Sequence, residues 1–168
     1  VVDFIRHRGI PTVQGNHDRD TFLDQAWLRR QQRDLPDTID DDGLMDSYWV
    51  AYLSGLPLTL HFEWEGVRVC LAHGTPWDNN QYVFSGANEK LLRRLLEEAQ
   101  AEVLILGHTH TPMHITLDAG HIVNPGSLYG NRPDLQRTCG ILTLPEVTFQ
   151  VFDVGDGSAV EPELRRVG

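Results

Sequence analysis

The hydrophobic pattern along the chain switches repeatedly between the helical and the extended period. In Val1–Gly9 the apolar positions are 1, 2, 4 and 5, with polar residues between and a closing glycine. That predicts the last turns of a helix with a left-handed C-cap. Residues 10–14, which include Pro11-Thr12-Val13-Gln14, then read as a strand. A helix feeding a strand is the second half of a βαβ unit, and the strand expected before it is not among these residues. Residues 21–56 read as mostly helical. Leu23, Ala26, Trp27 and Arg30 suit one amphipathic helix, and Asp46 to Ser54, with Tyr48, Trp49, Ala51, Tyr52 and Leu53, suits another. Between them lies the acidic stretch Asp37–Gly43. Its spacing misses the alternate oxygen ligands and the central glycine of an EF-hand, so it reads as a solvated loop.

Further along, Leu58–Glu63 and Val67–Ala72 flank Glu65-Gly66, a hairpin signal. Asn88 stands where it can cap a helix whose Leu91, Leu92, Leu95, Leu96 and Ala99 follow the 3.6-residue period. Val103–Leu106 is apolar and partly β-branched, a short buried strand, and His121–Val123 is another. Residues 140–144 and 147–154 pair as an antiparallel hairpin around Pro145-Glu146. No repeat or low-complexity tract intervenes. The 168 residues suit one domain, 1–168, with the helical insert at about 21–56.

Four of these strands end in polar groups beside a glycine: Gly15-Asn16-His17-Asp18, His73-Gly74, Gly107-His108-Thr109-His110 and Asn124-Pro125-Gly126-Ser127. On an extended backbone the spacing of His108 and His110 puts both rings on one face, where they bind one metal or one each of a metal pair. Open α/β sheets carry their ligands at the carboxyl ends of the strands, so strands lying side by side would bring all four endings to one rim. Asn carbonyls and imidazoles suit borderline divalent ions. A histidine beside a carboxylate, as in His17-Asp18, has the composition of a general acid with its tautomer set.

Charge narrows the classes further. Fourteen Lys and Arg stand against twenty-four Asp and Glu, a net charge of -10. That argues against a general nucleic-acid coat or an anionic-membrane binder, but not against a local site for a small phosphorylated substrate. No apolar run approaches the roughly 18 residues of a membrane span. Cys70 and Cys139 read as buried, reduced thiols. With no secretory leader expected, the default location is cytoplasmic.

Together the four endings, in this order and at these separations, resemble the signatures of the calcineurin-like metallophosphoesterases, especially the small bacterial phosphodiesterase-like branch. The resemblance runs from residue 1 to about residue 154. It implies a four-layer α-β-β-α sandwich holding two divalent metal ions, drawn from manganese, iron, zinc or nickel. Asn16, His73 and His108 would bind one ion and His110 the other. His17 would stand near the leaving group, oriented by Asp18. A hydroxide shared by the ions would attack phosphorus in line. Asn124, Ser127 and Arg132 are the substrate-binding candidates, Arg132 as a guanidinium partner for a phosphate oxygen. Trp77, Tyr82 and Phe84 are available to stack a base or aryl group, or to pack.

One departure counts against full competence. The family opens with an Asp-x-His motif and a Gly-Asp motif, whose Asp bridges the two metals, and neither occurs before Gly15. The remaining ligands are neutral and would leave two divalent ions poorly compensated. The expectation is an N-terminally incomplete chain, lacking the first strands of the fold. It should hold one metal or none and turn over little, and its exposed core should bring either instability or a swapped or partner-supplied strand, as in a homo-oligomer. The leading function is metal-dependent hydrolysis of phosphodiesters or nucleotides. The alternatives are a nucleotide pyrophosphatase, a protein-phosphatase-like enzyme, a non-catalytic binding module on the same fold, and a mononuclear zinc protein using three histidines.

Overall fold

The computed structural model describes residues 1–20, 47–129 and 136–168. The helix proposed around Leu23–Arg30, the acidic stretch 37–43 and Arg132 lie outside them. Helix α1 spans Val2–His7. It ends as its glycine requires: Gly9 adopts φ +60°, its N–H donates to Arg6 O, and Ile10 N–H donates to Ile5 O. Those two bonds are a Schellman closure, which a side chain with a Cβ would strain. Helix α2 spans Ser47–Ser54, close to the expected bounds. Arg6 places its guanidinium 4.5 Å from the Tyr48 ring centroid and so ties α1 to α2.

Residues 10–14 do not form a strand. A strand needs a neighbour for its ladder, and among the described residues this segment has only one long-range backbone bond, Gln14 N–H to Pro57 O at 2.9 Å. The hairpin is as expected: β1 (Thr59–Trp64) and β2 (Val67–Ala72) pair antiparallel. Glu65 and Gly66 both have positive φ, the handedness that matches strand twist. Helix α3 spans Glu89–Ala99, and the Asn88 side chain accepts the Leu91 N–H at 2.9 Å.

Strands β3 (Val103–Ile105), β4 (Met113–Leu117), β5 (Gly120–Asn124) and β9 (Glu163–Val167) complete a six-stranded sheet of order β1-β2-β3-β5-β4-β9. Its centre is parallel, with Cys70 opposite Leu104 and Leu104 opposite Ile122. A second sheet holds β6 (Thr138–Thr143), β7 (Thr148–Asp153) and β8 (Ala159–Val160). Alternation along the central strands separates two cores. Cys70, Ala72, Leu104, Leu106, Ile115 and Ile122 face α3 and its Leu92, Leu95 and Leu96. Val67, Val69, Val103 and Val123 face the second sheet, packed with Leu142 and Phe149. The described residues therefore stack as helix, sheet, sheet, the mixed α/β layering expected of the family fold.

Between the sheets His114 on β4 meets His121 on β5, Nε2 to Nδ1 at 3.0 Å, with Phe149 edge-on to His114. Burial lowers the pKa of both rings, and His121 lowers that of His114 further. A bond between two imidazoles requires one ring to accept and so to be neutral, and burial disfavours charge on the other. The unfolded chain therefore takes up protons first. The stability contributed by the pair is complete above the ordinary imidazole value near pH 6.5 and is lost as pH falls through it. We expect urea midpoints to hold steady down to about pH 7 and to drop by about pH 5, and His114→Phe to flatten part of that drop. An unchanged slope in the variant would assign the acid sensitivity elsewhere.

Candidate metal centre

Three parallel strands build the rim. β2 ends at Ala72 and delivers His73, β3 leads through Leu106 into Gly107–His110, and β5 ends in Asn124. The ladder continues past the strand ends, with Leu106 N–H donating to Val123 O and Gly107 N–H donating to His73 O, each at 2.8 Å. Asn16 arrives from outside the sheet. Gln14 N–H is held by Pro57 O, and the Asn79 amide donates to Gln14 O at 3.4 Å and Gly15 O at 3.2 Å. The outcome is a contact of 3.0 Å between Asn16 Oδ1 and His73 Nε2. The His73 and His108 ring centroids lie 4.9 Å apart.

The Gly107–His110 turn is not extended, contrary to the one-face expectation. His108 and His110 both take left-handed backbone, at φ 65° and 59°. That conformation is uncommon for a residue with a Cβ and persists where neighbours hold it. Asn124 does so here. Fully buried, it donates to Gly107 O at 2.7 Å and to Thr109 Oγ1 at 3.0 Å, and its Oδ1 accepts Gly126 N–H at 2.8 Å. Its amide is engaged by the turn, which it fastens. Ser127 is anchored by Thr138 Oγ1 at its N–H, while its own hydroxyl accepts Tyr129 N–H at 3.0 Å.

His17 is exposed beside the cluster. Asp18 does not orient it, because no hydrogen bond joins the two. Asp18 Oδ2 instead accepts Gly15 N–H at 2.8 Å and shapes the loop that presents Asn16. Two groups were not singled out from sequence: Asn79, whose buried amide holds the Asn16 arm, and Asn80, whose carbonyl lies 3.2 Å from His108 Nε2. Tyr82, already a stacking candidate, lays its ring on His108 at 3.8 Å between centroids. No periodic signal marks them, since all act from a loop. Trp77, in the same loop, packs against the helix-side core under Arg94.

Burial disfavours charge on His73 and His108. Burial pushes His73 down to about 4, helped by His108, His110 and His17 nearby. Burial also lowers His108, offset in part by the Asn80 carbonyl. Neutral rings are the form that binds metal. Among the described residues no group of three His, Cys, Asp or Glu side chains is arranged to hold an ion. Asn16 supplies an amide oxygen such a count omits. That oxygen lies 3.0 Å from His73 Nε2, within hydrogen-bonding distance. Asn16 Oδ1 and His73 Nε2 are neutral donors of the kind a borderline divalent ion takes, and the His108 ring lies beside them with its Nε2 on the Asn80 carbonyl.

A family model described as the calcineurin-like phosphoesterase superfamily domain matches residues 1–146. A probable metallophosphoesterase of Methanothermobacter thermautotrophicus is 36% identical over 112 residues, which is 67% of this chain and 54% of that protein. The chain thus spans about half the length of that curated relative. The crystal structure of hypothetical protein PH1004 from Pyrococcus horikoshii OT3 superposes with TM-score 0.67 at 14% identity, over 91% of this chain and 67% of the other. That of a metallophosphoesterase from Sphaerobacter thermophilus gives 0.55 at 19% identity, over 96% and 71%. At these identities the two structures support the fold alone.

The loop after His73 tolerates no side chain at its start. A Cβ on Gly74 would meet Asp78 O at 2.6 Å and Gln81 O at 2.8 Å, whereas one on Gly86 meets nothing within 4 Å. Gly74→Ala should lose about 1–3 kcal/mol in denaturant unfolding. It should also displace Asn79 and Asn80, seen as shifted His73 and His108 ring resonances. Gly86→Ala should stay within about 0.5 kcal/mol of the parent.

Proposed function

Because the chain belongs to the calcineurin-like phosphoesterase superfamily, we propose that this rim binds divalent metal and hydrolyses phosphodiesters or nucleotides. The observation that carries the proposal is the convergence of Asn16 Oδ1 and His73 Nε2, at 3.0 Å, beside the His108 ring. A divalent ion held there supplies Lewis-acid polarisation of a phosphoryl oxygen and makes water more acidic. Asn16, His73 and His108 hold one ion, and His110 is the ligand this chain offers a second. His17, exposed at the edge of the cluster, donates a proton from its ring to the leaving oxygen. Asn124 and Asn79 keep the two ligand-bearing turns in place.

The donors are all uncharged, so binding by this chain is weak and turnover slow. The same observation favours a second reading, in which the rim binds phosphoesters without hydrolysing them. Titration with manganese and zinc, followed by assay on bis(p-nitrophenyl) phosphate with and without chelator, separates the two. We expect metal-dependent release of nitrophenol. Asn16→Ala and His73→Ala should each weaken metal affinity at least about tenfold. Metal binding with no turnover selects the second reading, and metal binding indifferent to both substitutions would sink the proposal.

A further inference from the structure

Two large aromatic rings lie in solvent beside the rim. Tyr82 is 55% exposed and Phe84 54%. They come from the loop that follows His73, whose Trp77 is packed, with its indole N–H on Gln81 Oε1 at 3.0 Å. The exposed pair are nearly parallel, 6° between planes with centroids 5.9 Å apart. Tyr82 continues the series onto His108, 3.8 Å between centroids at 23°. Phe84, Tyr82 and His108 therefore form a run of aligned ring faces leading from solvent to a candidate metal ligand. Exposed apolar rings beside a polar cluster are an expected feature of a ligand site. Aligned faces accept another planar ring by offset stacking.

We infer that Tyr82 and Phe84 form a shelf for the planar ring of the substrate's organic group, and so select phosphoesters of aromatic alcohols or nucleosides over those of aliphatic alcohols. This rests on the phosphoester reading above. An ester carries phosphorus at one end and its ring at the other. The run from His108 to Phe84 offers the matching order, polar ligands first and ring faces outward. Tyr82 also bears on His108, so it is both shelf and positioning residue. Phe84 touches none of the candidate ligands and can be altered alone.

Isothermal titration of the zinc-supplemented chain tests this with four probes: inorganic phosphate, ethyl phosphate, phenyl phosphate and adenosine 5′-monophosphate. We expect phenyl phosphate and the nucleotide to bind about fivefold or more tightly than ethyl phosphate, the size of one stacking contact. Gain by both indicates a shelf for any planar ring, and gain by the nucleotide alone a base-sized one; either supports the inference. Phe84→Ala should remove the gain and leave inorganic and ethyl phosphate unchanged, and Phe84→Trp should restore it. Equal affinity for the three organic probes overturns the shelf while leaving the phosphoester reading intact. Failure of inorganic and ethyl phosphate to bind at all overturns that reading, and the shelf with it.

Discussion

The hydrogen bond from Gly107 N–H to His73 O, 2.8 Å long, is the contact on which the site depends. It extends the parallel pairing of β2 and β3 past the last regular residues. The turn bearing His108 and His110 is thereby fixed against the residue bearing the His73 ring. Parallel register does the rest, since Leu71 opposite Ile105 and Ile105 opposite Val123 set three strand endings at one height. Shifting any one of these strands by a residue would exchange its two faces and send the helix-side core toward the second sheet.

Around that bond the polar groups are arranged to leave nothing idle. Among the described residues no buried side-chain nitrogen or oxygen lacks a partner. Asn124 and Asn79 illustrate how this is reached: each is buried, Asn124 donating to the Gly107 carbonyl and the Thr109 hydroxyl and Asn79 to the carbonyls of Gln14 and Gly15. A buried amide without those carbonyls would cost about 1–3 kcal/mol, so the two turns and the two asparagines require each other. The left-handed residues at His108 and His110 are held by the same exchange.

Elements set by short-range rules could be read from the chain. The Glu65-Gly66 hairpin, the Asn88 cap, the face of α3 and the glycine closure of α1 each follow from residues within a few positions of one another. The four polar endings were also legible, because their spacing names a donor set. Less legible was whatever depends on distant partners. β4 alternates cleanly at Met113, Ile115 and Leu117, yet its parallel neighbour β9 lies far along the chain at Glu163–Val167. Residues 10–14 look like a strand, but pairing is decided by what lies alongside. For Asn124, side-chain chemistry alone does not tell a fastener from a substrate contact.

Sequence separation also distinguishes the contacts of the site. The bonds from Asn124 to Gly107 close a span of 17 residues, whereas Asn16 meets His73 across 57 and Asn79 meets Gly15 across 64. A longer span costs more chain entropy to close, though only logarithmically, and a segment with few backbone hydrogen bonds can open locally. The Asn16 arm has little ladder bonding of its own, so it can lift from the rim while the sheet stays folded. Amide exchange would then find Gly15 and Asn16 among the quickly exchanging positions and Leu104 among the slowest. The position of Asn16 would then have a local stability of its own, distinct from that of the sheet.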